Sequence, residues 1–148
     1  MYSLLTPLDR LSQKWYKQAM PELLSKPVPK PLHWIASSKE DLIAFPGAAR
    51  REAGYALFLA QIGMKAIKAK PLKGFAGAGV LEVVTSHSGN TYRAVYTVRF
   101  AEAVFVLHAF QKKAKKGIAT AKADLDLIKQ RLKLAAQECE RLYKSDKP

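Results

Sequence analysis

The stretch from Gly79 to Gly117, GVLEVVTSHSGNTYRAVYTVRFAEAVFVLHAFQKKAKKG, constrains this chain more than any other. It reads as three successive strands that end in a cluster of lysines. The first run, about Val80 to Thr85, is rich in β-branched residues. The second, about Thr91 to Val98, sets Tyr92, Ala94, Tyr96 and Val98 against Thr91, Arg93, Val95 and Thr97, the period-two signal of a strand with two unlike faces. Between them His87-Ser88-Gly89-Asn90 supplies residues that tolerate positive φ in a tight hairpin. The third run, Ala103 to Phe110, is almost wholly apolar, as expected of an interior strand covered on both faces. It meets Gln111-Lys112-Lys113-Ala114-Lys115-Lys116, which cannot continue into a core.

The cationic end of that stretch belongs to a wider excess. Lys and Arg number 25 against 12 Asp and Glu, a formal charge of +13 over 148 residues. Such a balance favours polyanionic partners, nucleic acid first among them, although solvated lysines also serve solubility alone. No acidic residue lies between Glu52 and Glu82, where Lys65, Lys68, Lys70 and Lys73 occur. None lies between Glu102 and Asp124, where Lys112, Lys113, Lys115, Lys116 and Lys122 occur. If these two basic windows converge in space, they form a patch that tracks phosphates.

Several classes are excluded. Cys139 is the one cysteine, so no intramolecular disulfide forms and no zinc site of three or four cysteines exists. Three scattered histidines lack metal-ligand spacing, and no P-loop or dinucleotide glycine pattern occurs, so neither metal nor cofactor is expected. No apolar run approaches the roughly 20 residues of a membrane span. The first residues lack the basic start and uninterrupted apolar segment of a signal peptide, which makes cytoplasmic the expected location, without a membrane partner.

Along the chain, residues 1–31 read as an N-terminal extension and linker. Thr6-Pro7 can start a helix in which Leu8, Leu11 and Trp15 share a stripe, either docked on the domain or free to bind a partner. Pro21, Pro27, Pro29 and Pro31 then forbid continuous helix. The domain proper spans 32–143, with a tail over 144–148. Leu32 to Ala36 is a candidate strand; Ser37 and Glu40 form a capping box for a helix to about Phe45. Pro46 opens a second, alanine-rich helix to about Ile62, closed by Gly63. Lys70 to Phe75 reads as a basic connection. Thr120 can cap a last helix whose apolar stripe is Leu125, Ile128, Leu132, Ala135, Cys139 and Leu142. The order β-α-α-β-β-β-α defines an α+β domain: a helical hairpin and a C-terminal helix packed on a small, mainly antiparallel sheet.

The residues with chemistry are Arg93 on the middle strand, His108 near the end of the last, Glu82 on the first, and the lysines beyond. That set suits RNA cleavage through its own 2′-hydroxyl, which needs no metal but needs a base, an acid and cations around the phosphorane. Arg93 can hold phosphate in a fork, and Lys112 and Lys113 add compact charge. Arg93 can equally be a solvated face residue, and the spacing of His108 favours a satisfied core histidine over a catalytic one. Glu82 is either a general base or the ion-pair partner of Arg93. A two- or four-residue loop at Ser88-Gly89 puts Glu82 and Arg93 on one face, and a three-residue loop separates them.

The series Leu72-Lys73-Gly74, Gly79-Val80-Leu81-Glu82-Val83, Thr91-Tyr92-Arg93-Ala94-Val95-Tyr96 and Val106-Leu107-His108-Ala109-Phe110-Gln111-Lys112-Lys113 resembles the RelE/ParE superfamily of bacterial toxins, most closely its HigB-like, phage-related branch. The similarity covers about Lys30 to Cys139. It implies a RelE-like fold and a type II toxin: an endoribonuclease that cuts mRNA on the ribosome and is neutralised by an antitoxin, often a helix-turn-helix protein. It also admits a ParE-like toxin that binds DNA gyrase and cuts nothing; a basic RNA-binding module without catalysis is a third reading. By position, Arg93, Lys112 and Lys73 match basic residues of the family pattern, and Lys70, Lys113, Lys115 and Lys116 would add nucleic-acid contacts. Two features depart from it. The strand lysines of RelE fall where Leu81-Glu82-Val83 stands, and a C-terminal catalytic tyrosine has no counterpart around Ile118. Both departures bring Glu82 and His108 forward as substitutes.

Overall fold

A computed structural model of the chain describes residues 28–113 and 120–144. The expected helix around Leu8, Leu11 and Trp15, the lysines Lys115 and Lys116, and the residues 145–148 lie outside these. The described elements are β1 (Leu32–Trp34), α1 (Ser38–Ile43), α2 (Gly47–Gln61), β2 (Ala69–Pro71), β3 (Val80–His87), β4 (Asn90–Thr97), β5 (Val104–Lys113) and α3 (Lys122–Tyr143). The sheet order is β1-β5-β4-β3-β2, with β1 parallel to β5 and every other pair antiparallel. This is the expected α+β architecture with one added edge strand. Lys70 lies on that strand, β2, and not in an irregular connection, because Ala69 to Pro71 pair with Leu81 to Val83.

The sheet is covered on both faces. Against one, the alanines Ala49, Ala53, Ala56 and Ala60 of α2 lie close to Val83, Ala94, Tyr96 and Val106, helped by Leu42 and Phe45. Small side chains let this helix approach the sheet closely. Against the other, Ile128, Ala135 and Cys139 of α3 pack on Val80, Val95, Phe105 and Leu107. β5 therefore contributes to both cores, which is why its sequence is apolar without alternation.

The β3–β4 turn has a two-residue loop. His87 pairs with Asn90, and Ser88 and Gly89 take φ values of 50° and 79°. Two successive positive φ values define the turn whose twist matches flanking strands. Val84 then faces Arg93, so Glu82, two residues before Val84, lies on the same face as Arg93. A second irregularity lies in β5. Val95 pairs with His108 but Tyr96 pairs with Val106, so Leu107 is an extra residue, a β-bulge.

Helix ends differ from expectation in informative ways. Ser37 is the N-cap of α1 but makes no capping bond; its hydroxyl donates to the Asp41 carboxylate instead. That helix ends at Ile43, before Phe45. Ala121, not Thr120, caps α3, because Thr120 turns its hydroxyl towards Glu82 and Arg93. Leu142 is exposed, and Tyr143 takes the packed position, its hydroxyl 2.6 Å from His33 Nε2.

Tyr96 is fully buried and its hydroxyl has no partner among the described residues. Burial pushes its pKa from 10.0 up to about 12. Tyr96→Phe removes a buried hydroxyl without breaking a bond, so stability at pH 8 should stay within about 1 kcal/mol of the parent or rise. The folded state holds this proton more tightly than the unfolded chain. Its contribution is therefore complete below pH 10 and lost as pH climbs from about 10 to about 12. Urea unfolding at pH 8 and 11 checks both points; a parent and a Phe variant with the same alkaline loss would refute the second.

Candidate active site

Strand register places the expected residues on one face of the sheet. Lys70 on β2 lies opposite Glu82 on β3. Arg93 on β4 lies opposite Phe110 on β5, and Thr91 lies opposite Lys112. Directly opposed residues share a face, and so do residues two apart on a strand. Lys70, Glu82, Arg93, Phe110 and Lys112 therefore lie on the α3 face, in a band across four strands.

Within the band, Arg93 Nη1 donates to Glu82 Oε2 at 2.9 Å. The same nitrogen is 3.4 Å from the Thr120 hydroxyl, which lies 3.5 Å from Glu82 Oε2. The pair is sheltered, with side-chain exposures of 6% for Arg93 and 17% for Glu82. Arg93 is thus not a solvated strand residue, and Glu82 is its ion-pair partner. Lys112 is half-buried beside them, and Lys70 is exposed at the edge.

His108 sits beside the band with both ring nitrogens engaged. Nε2 is 2.9 Å from Asp124 Oδ1 in the first turn of α3, and Nδ1 is 3.3 Å from Arg131 Nη1. Arginine can only donate, so Nδ1 accepts and the Nε2 proton goes to Asp124. Arg131 also donates from Nη1 to the Leu107 carbonyl at 2.9 Å and from Nη2 to the Ser37 hydroxyl at 3.3 Å. The Phe110 ring stacks on His108 at 4.5 Å. This is the environment of a satisfied, buried histidine. The bulge at Leu107 helps create it by turning both Leu107 and His108 towards α3.

Arg131 and Asp124 escaped the sequence reading. Arg131 falls inside an apolar stripe, and nothing in spacing distinguishes a buried arginine from a solvated one. The signal that was available is its position three residues after Ile128 and four before Ala135, both core residues.

The two basic windows converge only in part. Lys70 and Lys112 share the band, but Lys65 and Lys68 lie beside α2, where Lys68 pairs with Glu52. Lys73 follows Leu72, whose backbone bonds to Val80 at the opposite end of β3 from the hairpin. From the rung of Val80 and Thr97 to that of Thr91 and Lys112 is six residues of β4, about 20 Å. Near that far end, Arg99, Lys129 and Lys133 line a groove with Phe75 and no carboxylate. Lys113 ends β5, opposite Asn90. Among the described residues, no three His, Cys, Asp or Glu side chains group as metal ligands, and no helix is long and apolar enough to cross a membrane.

A small basic α+β domain with a cationic band across one sheet face is the class these features define. The family model described as "Phage derived protein Gp49-like (DUF891)" matches residues 40–133, most of the chain. The chain belongs to this Gp49-like family, and with it to the RelE/HigB type of toxins that its strand and lysine pattern resembles. Among solved structures, the RelBE2 toxin–antitoxin complex of Mycobacterium tuberculosis is similar at 20% identity, covering 59% of this chain and 95% of that one, with a TM-score of 0.39. No curated protein matches.

Arg131→Ala should leave the Leu107 carbonyl and His108 Nδ1 without a donor and lower unfolding free energy by about 3 kcal/mol. Urea titration measures this, and a loss below about 1 kcal/mol would show that the network does not hold α3 to the sheet.

Proposed function

We propose that this chain is the toxin of a type II toxin–antitoxin pair, and that it cleaves mRNA on the ribosome without a metal ion. The observation that carries the reading is the band of Lys70, Glu82, Arg93 and Lys112 on one sheet face, where one carboxylate stands among three cations. Family membership supports the toxin assignment, and the chemistry follows from the residue types.

In this reading an RNA strand crosses the band with its phosphate at the Arg93–Lys112 end. Lys112, half-buried next to Arg93, supplies charge to the phosphorane as its negative charge grows. Glu82 is held by Arg93 and Thr120, and its second oxygen, Oε1, takes the 2′-hydroxyl proton as the 2′-oxygen bonds to phosphorus and the P–O5′ bond breaks, the departing 5′-oxygen taking its proton from solvent water. Arg93 both orients that carboxylate and adds positive charge beside the phosphate. His108, bonded at both nitrogens, acts as a positioning residue that fixes the start of α3 over the band. Lys70 at the open edge, with Lys113, Lys115 and Lys116, contacts flanking phosphates. An acidic segment of a cognate antitoxin, of helix-turn-helix type as the resemblance implies, would neutralise the band.

Lys112→Ala is the cleanest test, because this side chain is only half-buried. Loss of one charged contact in the transition state should slow cleavage by roughly 10- to 100-fold. Controlled expression with mapping of mRNA 5′ ends should show cuts within translated frames, abolished in Arg93→Ala and reduced in Lys112→Ala. Arg93→Ala leaves Glu82 without its ion-pair partner and should also cost about 3–5 kcal/mol of stability, so its folded fraction is measured in parallel. Growth arrest with intact mRNA and damaged chromosomes would replace this reading with gyrase poisoning.

A further inference from the structure

The end of the sheet away from the band builds a second cationic surface. A groove of about 430 Å³ lies between the 74–78 loop and the middle of α3, floored by Phe75, Ala78 and Leu132. These three belong to the core on the α3 side, so the groove and the band open on the same face of the sheet. Arg99 from the β4–β5 connection and Lys129 and Lys133 from α3 wall it, and no lining residue is acidic. All three cations are exposed, and among the described residues none of them makes an ion pair.

The fold sets these charges in place. Gly79, at φ 63°, lacks the Cβ that would stand 3.0 Å from the Arg99 backbone nitrogen, so the two loops meet closely. That nitrogen donates to the Thr97 hydroxyl at 3.1 Å, and the hydroxyl donates to the Ala78 carbonyl at 3.3 Å. Arg99 therefore leaves the sheet at a fixed point beside the groove. On α3, Lys129 and Lys133 are four residues apart, about 6 Å along the axis. Like charges at that spacing repel each other and weaken a helix. With no carboxylate in the groove, an anion from outside relieves that repulsion.

A phosphate backbone fits this anion better than a protein segment does. None of the large apolar side chains exposed among the described residues lines the groove. An amphipathic segment finds no apolar anchor there, whereas successive phosphates need only spaced cations. The rung of Thr91 and Lys112 lies about 20 Å away along β4. At about 3.4 Å per stacked nucleotide, roughly six nucleotides join the two places.

We propose that the groove is a second, non-catalytic RNA site, in which Arg99, Lys129 and Lys133 hold phosphates of the strand that leaves the band. It rests on RNA occupying the band, and it makes the preferred substrate a strand long enough to reach both.

The test uses the full chain and a 2′-O-methyl RNA of about 12 nucleotides, which spans both places and cannot be cut through its 2′-oxygen. Fluorescence anisotropy reads binding between about 50 and 200 mM salt. Lys129→Ala combined with Lys133→Ala should weaken binding roughly 10-fold at low salt, equally for all sequences, and flatten the salt slope by about 1.4. Both lysines are exposed and alanine is the best helix former, so α3 stays folded. Lys39→Ala combined with Arg51→Ala removes the same charge from exposed positions on α1 and α2 and should leave the slope unchanged. Lys112→Ala reads the band separately in the same assay. Weakening by Lys112→Ala but not by the α3 pair would overturn the groove and leave the band's reading in place. Weakening by the α3 pair alone would keep RNA in the groove and remove it from the band. Equal weakening by the α1 and α2 pair would overturn the proposal, since net charge alone would then account for binding. So would an α3 pair that binds RNA normally but loses a synthetic peptide rich in Glu and Leu, which would give the groove to a protein partner.

Discussion

The domain depends on the burial of β5 on both of its faces. Val104 and Val106 face α1 and α2 while Phe105 and Leu107 face α3, and all are essentially removed from solvent. Each of these side chains is worth about 1.5–3 kcal/mol of apolar transfer, and few of them could be lost without the helices parting from the sheet. The strand also joins the N-terminal part of the domain to the rest through the parallel pairing of β1. Once β5 is fixed, β4 and β3 follow by register, and the position of Arg93 is no longer free.

Within that frame the polar groups are ordered by geometry more than by exposure. The Glu82–Arg93 pair lies between sheet and helix, where the desolvation of both charges is offset by a short mutual contact and the Thr120 hydroxyl. His108 is held by Asp124 from the first turn of α3 and by Arg131 from two turns later. One helix thereby closes two polar networks and one apolar core. The rigid arrangement suits a site that stabilises charge by fixed groups.

Much of this was legible in the sequence. The alternation of Thr91 to Val98, the apolar run of Ala103 to Phe110 and the Ser88-Gly89 turn gave strand order and hairpin, because period and turn chemistry are local. Whether Glu82 meets Arg93 depended on a single residue of loop length, which pattern alone left open. β2 was not read because Ala69-Lys70-Pro71 has no β-signature, and its pairing comes from the neighbouring strand. Arg131 was invisible because its burial depends on a bulge in a distant strand that frees the Leu107 carbonyl to accept from it. Thr120 looked like a cap, and only three-dimensional proximity to Glu82 explains why it serves elsewhere.

The parallel pairing of β1 with β5 has a consequence for synthesis. Leu32 cannot find Val104 until about two thirds of the domain has been made, and closing so long a loop is slow compared with forming a local hairpin. Asp124 and Arg131, which complete the histidine network, emerge later still. A growing chain on the ribosome therefore holds the β3–β4 hairpin early but cannot assemble the finished face. The α3 side of the site is therefore the last part of the domain to be completed.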